Sequence, residues 1–373
     1  MSIKTTLKAS VAAAALVAVA APVVSSPAEA GLANGNDNGV VISGSLVRSL
    51  MYTDNGSAND WSHIDGGADT SSRMRILVKG ALTESIAVGG VFEANLPRSN
   101  SSVATSAADV GATVVGDAAF GFRKTDISFT HATLGKLSIG QGDTASDNKP
   151  SLDSTGTNNA GITYGSGIDV FDKTASTNGT TAGSHFASYF GGRKDRIRYD
   201  APSIAGFSAG ADFGQDGFWD VGLKYGATYN DVQIAAAVQY QNLGTDTPSN
   251  NMGVGIALKH ASGISAGMHF GQEGGASDAA GAVDGSSWGV EAGYTTTAIS
   301  GFGATSFNVK YAEAREANNN NFTADSVQFA FNQSMPAGVD VFASYENASF
   351  EDNNAATDLE NLSVFLMGTK INF

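Results

Sequence analysis

From Gly39 to the C-terminus, apolar and polar side chains alternate with a period of two, segment after segment, and this restricts the fold more than any other feature. Such alternation marks a strand with one apolar and one polar face. The clearest case runs from Asp231 to Gln241. Val232, Ile234, Ala236, Val238 and Tyr240 share one face, with Gln233, Gln239 and Gln241 on the other. The ribbon before it sets Val221, Leu223, Tyr225 and Tyr229 against Gly222, Lys224, Gly226 and Thr228, and Asn230 joins the two with almost no loop. Sixteen such segments start near residues 39, 71, 85, 118, 136, 193, 205, 217, 231, 251, 263, 286, 303, 323, 338 and 359.

The links between these segments alternate in length. Short turns fall at Thr83-Glu84-Ser85, Leu134-Gly135-Lys136, Pro202 to Gly206, Ser262-Gly263 and Pro336-Ala337-Gly338. Longer links rich in Asn, Asp, Gly and Ser lie around residues 54–70, 97–116, 143–192, 242–250, 272–285, 315–322 and 347–358. One tight end and one loose end is the plan of an outer-membrane barrel, and an even strand count returns both termini to the periplasmic side. A soluble sandwich would show the same alternation with its apolar face buried. Sixteen strands without a helical interlude strain that alternative. Tyrosines and phenylalanines recurring near strand ends suit interfacial girdles. After the N-terminus no stretch approaches 18 consecutive apolar residues, so strands must do any spanning, and a closed barrel is the form that satisfies every backbone group. The expected fold is an all-β, transmembrane, antiparallel β-barrel of 16 strands.

Residues 1–30 read as a signal peptide rather than as part of the fold, leaving 31–373 as the barrel. Lys4 and Lys8 precede the apolar run Val11 to Ala21, Pro22 breaks it, and Ala28-Glu29-Ala30 offers small residues at −3 and −1. Removing it takes two lysines and one glutamate from a chain already at −15, so the acidic excess grows by one charge. A chain this acidic is poorly suited to a phosphate backbone, which argues against nucleic acid as a partner. There is no cysteine, hence no disulfide framework, thiolate metal site or thiol nucleophile. His63, His131, His185, His260 and His269 are scattered without metal-ligand spacing, and no hydrolase, zinc-protease or phosphate-loop motif is present. Neither a cofactor nor an enzyme activity is expected. The Asn-rich run Asn34 to Asn38 carries hard oxygen ligands that could hold calcium weakly, but a solvated loop is the preferred reading.

Arg196-Ile197-Arg198-Tyr199-Asp200-Ala201-Pro202-Ser203, followed by Ile204 to Ser208, is similar to the strand–turn–strand signature of the general bacterial porin family of Gram-negative outer membranes. Thr133 to Gln141 resembles its hairpin leading into the constriction loop, Arg75 to Gly80 its second strand, and Lys370-Ile371-Asn372-Phe373 its last. One departure is Gln141, where the family often has Arg. The resemblance implies a homotrimer in outer-membrane lipid, a water-filled channel for passive diffusion of ions and small hydrophilic solutes, and a link 143–192 that folds inward to constrict the lumen. It also implies that the terminal Phe373 is read by the outer-membrane assembly machinery.

Channel selectivity is set by pore diameter and by the charges lining it. Arg73, Arg75 and Lys79 alternate with Met74, Ile76 and Val78, and Arg196 and Arg198 with Ile197 and Tyr199, so these basic side chains are expected in the lumen. A lipid-facing arginine near the midplane would cost ~2–4 kcal/mol. Either Arg123 or Lys124 adds a third source, depending on register. Of these, Arg75 best matches the basic cluster of the family. Against them stand the loop acids Asp143, Asp147, Asp153, Asp169 and Asp172. An interior ion-pair lattice that props the loop in place is the alternative role for the arginines. Arg48 shares its parity with Ile42, Leu46 and Leu50, which leaves it for the rim or a subunit contact.

Overall fold

The computed structural model describes residues 38–64, 71–95, 121–147, 156–160, 169–171, 177–186, 189–245, 249–275, 283–317, 322–353 and 358–373. Among them the strands are β1 (Gly39–Asp54), β2 (Asn59–Ile64), β3 (Arg73–Thr83), β4 (Ile86–Asn95), β5 (Gly121–His131), β6 (Gly135–Asp143), β7 (Asp169–Phe171), β8 (Thr177–Thr181), β9 (Arg193–Asp200) and β10 (Phe207–Gly214). There follow β11 (Trp219–Tyr229), β12 (Val232–Asn242), β13 (Asn250–His260), β14 (Ile264–Gly274), β15 (Ser286–Thr296), β16 (Thr305–Arg315), β17 (Phe322–Met335), β18 (Val339–Asp352) and β19 (Leu362–Asn372).

All but β7 and β8 belong to one antiparallel sheet that closes on itself, because β1 pairs with β19 on one side and with β2 and β3 on the other. β2 covers Ser49 to Asp54 of β1 and β3 covers Gly39 to Ser45, so the two short strands lie end to end as one stave. The barrel therefore has sixteen staves. Fifteen of them begin within three residues of the position read from the sequence; in the remaining stave β3 does so, but β2 extends it back to Asn59. Two strand regions were not anticipated: β2, inside a stretch read as loop, and the β7–β8 ribbon within the long link.

Short turns close one end of the barrel. At Ile204 to Phe207 a two-residue hairpin places Ala205 at φ 51° and Gly206 at φ 88°. Two positive φ values are what a type I′ turn needs to match strand twist, and glycine takes the second at no steric cost. Asn230, at φ 50°, serves the next short turn.

The outer face is apolar and exposed, as at Val221, Leu223, Val238, Val254, Ile256 and Met268. Asp220, Gln239, Gln241, Ser265 and Glu273 point the other way and are buried. A soluble domain would bury the first set; an outer-membrane barrel turns it to lipid. Arg48 is on this outer face, its Nη1 donating to the Val47 carbonyl at 3.0 Å. One sector departs from the expectation of a uniformly polar interior. Val47, Met51, Phe342, Phe350, Val364 and Leu366 face inward on β1, β18 and β19, and pack with Ala160, Ala182 and Phe186 of the long link. The wall is apolar there because the link covers it and excludes water, so burial favours apolar side chains.

Candidate functional site: the lumen wall and its inward segment

The neighbouring staves β3, β4, β5, β6 and β9 carry most of the basic residues singled out in the sequence. Arg75 and Glu93 are direct cross-strand partners, with Nε to Oε2 at 2.7 Å. Glu93 also accepts from Arg123 Nε at 2.8 Å. Its side chain is 1% exposed, whereas that of Arg75 is 41% exposed. The β4–β5 register shifts at Glu93/Ala94, a bulge that sets Glu93 opposite Lys124 while Ala94 meets Phe122. The extra residue is Arg123. A bulge re-aims side chains, and here it lets both members of the pair turn inward: Arg123 reaches Glu93 and Lys124 forms an ion pair with Asp143. Arg73 donates from Nε to Asn95 Oδ1 at 3.0 Å, and Lys79 continues the same face toward the short-turn end.

Arg196 and Arg198 do something different. Arg196, 3% exposed, makes a two-pronged contact to Asp126 (3.1 and 3.0 Å) and donates to the carbonyls of Gly140 (2.8 Å) and Asp143 (3.1 Å). Arg198 pairs with Asp200 and donates to the carbonyls of Asp143 (3.0 Å) and Thr144 (2.7 Å). Both guanidiniums therefore brace the main chain where it leaves β6. A buried, fully hydrogen-bonded guanidinium is a strong fixture but a poor source of open charge. Gln141 shares the parity of Leu137 and Ile139, whose side chains face outward.

Beyond β6, the described residues of the long link meet the inner face of the wall at several places. Asp212 and Asp220, opposite each other on β10 and β11, accept from the backbone N–H of Ala145 (2.5 Å) and Ser146 (3.2 Å). The Ser146 hydroxyl also donates to Asp220, and Gln241 Nε2 donates to Ser146 Oγ at 3.2 Å. Burial and the nearby Asp143 carboxylate hold the Asp147 carboxyl above its usual range. A turn at Asn158–Ala160 then meets the far wall, where Asn159 bonds Asn332 (3.3 Å) and Lys370 (3.2 Å). The single helical turn Ala182–His185 sits beside β17 and β18, with the His185 ring 4.4 Å from Phe322 and 5.3 Å from Phe350. Burial pushes this imidazole down to about 4, against the pull of Asp352. The segment returns past β12 to β14 and closes on its own root, Thr144 N to Gly192 O at 2.8 Å and Gly191 N to Ser146 O at 3.0 Å.

Of the acidic loop residues, Asp143 is tied to Lys124, Asp147 lies at the root, and Asp169 opens β7. Asp153 and Asp172 lie outside the described residues, as do residues 1–37. Glu93 was not singled out from the sequence. Its signal was there: on β4 it alternates with Phe92, as the one acid on a strand adjoining the arginine-bearing β3. No cluster of three or more His, Cys, Asp or Glu is arranged for a metal among the described residues. The arrangement offers fixed charges on a wetted wall beside a segment anchored on both sides of the barrel, which can sort solutes by size and charge.

The Gram-negative porin family model matches residues 9–353. Among solved structures, the fold is similar to an anion-selective porin from Comamonas acidovorans, with a TM-score of 0.61, 13% identity, and 90% of this chain and 100% of that chain covered. It is also similar to OmpT of Vibrio cholerae in a trimer form (TM-score 0.57, 15% identity, 91% and 100% covered). A third similar structure is Salmonella typhi OmpF in complex with daunomycin (TM-score 0.56, 13% identity, 90% and 98% covered). No curated protein sequence matches the chain.

Proposed function

The chain belongs to the Gram-negative porin family, an outer-membrane channel for passive diffusion of ions and small hydrophilic solutes, and from that premise we propose where its throat lies and what lines it. The throat is the gap between the β3–β5 wall and the inward segment 143–192. Arg73, Arg75, Arg123 and Lys124 supply its positive side, with Lys79 nearer the periplasmic mouth. Asp147, Asp153, Asp169 and Asp172 supply opposing charge from the segment. Asp143 is partly cancelled by Lys124, and Arg196 and Arg198 act as braces rather than as selectivity charges. Fixed charges facing each other across a narrow, low-dielectric passage interact more strongly than in bulk water. The observation that carries this reading is the segment itself, tied to Asp212 and Asp220 at its root and to Asn332 and Lys370 across the barrel.

Planar-bilayer recordings test it. The wild-type protein gives stepwise conductance, and the double substitution Arg73→Ser with Arg75→Ser shifts the reversal potential toward cations. An unshifted potential removes both residues from the throat.

The working form is a homotrimer, exported behind a signal peptide at 1–30 with residues 31–373 forming the barrel. The outward Arg48 supports a subunit contact, since an arginine facing lipid near the midplane costs ~2–4 kcal/mol. Light scattering of the folded protein in detergent checks the subunit count. Phe373 exchanges two backbone bonds with Gly44 (2.8 and 3.0 Å) where the sheet closes, and serves as the handle for the assembly machinery. A variant lacking it is checked by its level at the cell surface.

A further inference from the structure

The returning leg of the inward segment is seated on one row of the barrel wall. In the registers of β12 with β13 and β13 with β14, Gln239 lies opposite Gly253, and Gly253 opposite Gly271. All three positions face inward. Gln239 Nε2 donates to the carbonyl of Tyr189. Beside that bond the two aromatic side chains of the leg, both buried, lie over the two glycines. A Cβ added at Gly271 would stand 2.9 Å from Tyr189 Cβ, and one at Gly253 would stand 3.0 Å from Phe190 Cζ. Carbon atoms rest about 3.5–4.0 Å apart, so only glycine admits the leg at this depth. The Phe190 ring also meets His269 edge-on, with centroids 6.4 Å apart. Gly226 on β11, which also faces inward, carries no such constraint: a Cβ there meets nothing within 4 Å.

We propose that Gln239, Gly253 and Gly271 form a seat that fixes how far residues 189–192 stand off the wall, and thereby sets the free width of the channel. The proposal rests on the reading that the segment narrows the lumen. The wall strands are hydrogen-bonded to neighbours on both sides, whereas the leg is held by few bonds, so a side chain added at the seat displaces the leg toward the barrel axis. These are positioning residues; none of them needs to touch a solute.

Single-channel conductance in planar bilayers reads the effect. Conductance should fall in the order of side-chain size through wild type, Gly271→Ala and Gly271→Val. Gly226→Val, which adds the same volume to open lumen, should change it far less. Combining Gly271→Val with Tyr189→Gly should restore conductance, because removing the Cβ together with the ring makes room for the new side chain. Should Gly271→Val not assemble, Gly271→Ala alone and with Tyr189→Gly carries the same comparison. Equal losses at 226 and 271, no loss at 271, or no restoration by Tyr189→Gly would each overturn the seat. A wild-type protein that is silent in bilayers would instead sink the channel reading on which the seat rests.

Discussion

Glu93 tempers the charge that the arginines give the wall. One carboxylate, almost wholly buried, lies between Arg75 and Arg123 and offsets part of the positive potential they would otherwise present. Glu93→Gln keeps the shape and removes the charge. We predict a reversal potential shifted toward anions, the opposite direction to that of the double arginine variant, read in the same bilayer recordings. The variant should also lose about 1.5–3 kcal/mol, the usual worth of hydrogen bonds to a charged group, measured by denaturant unfolding of the folded barrel. A potential unmoved from wild type would mean that these guanidiniums do not face the solute path. Alternation in the sequence was enough to turn Arg73, Arg75 and Lys79 inward, because a strand gives each side chain one of two directions. It could not choose between Arg123 and Lys124. The bulge at Glu93/Ala94 depends on pairing with another strand, and both side chains turn inward because of it.

At the scale of elements, strand positions were legible because hairpins with tight turns leave little freedom in register. From the residues themselves the long link 143–192 was legible only by its length; its inward course was an expectation of the family resemblance. Its course depends on contacts made far away in sequence, such as Ser146 with Asp220 and Asn159 with Lys370. The inward apolar sector was equally hidden, since Phe342 and Phe350 read as strand residues of either face until the segment is seen to cover them. That cover contains a titratable group. His185 is held near 4 by burial among Phe322, Phe350 and Phe186, while a released imidazole titrates near 6.5. Docking of the turn Ala182–His185 is therefore at full strength above about pH 6.5, weakens as pH falls toward 4, and changes no further below that. Acidification through this window should increase closures or conductance noise in bilayers. His185→Phe, which keeps the ring and removes the proton site, should abolish that pH response. A response that survives the substitution would assign it to another group.

For the whole molecule, the decisive question is which side of the wall meets lipid, and one pair of substitutions settles it. Val254, near the middle of β13, faces outward, and Ala235 on β12 faces inward and is open to the lumen. If the outside is hydrocarbon, Val254→Arg must place a guanidinium among acyl chains, at ~2–4 kcal/mol near the midplane and less toward the interfaces. Ala235→Arg meets water and should leave stability close to wild type while moving the reversal potential toward anions. A barrel with a dry centre reverses both results: the inward arginine becomes the destabilising one, and the outward one is solvated at little cost. Equilibrium unfolding from lipid vesicles measures the first quantity and bilayer recording the second. The two readings are independent, so a barrel that tolerates arginine at 254 but not at 235 contradicts a lipid-facing outer wall, whatever its conductance.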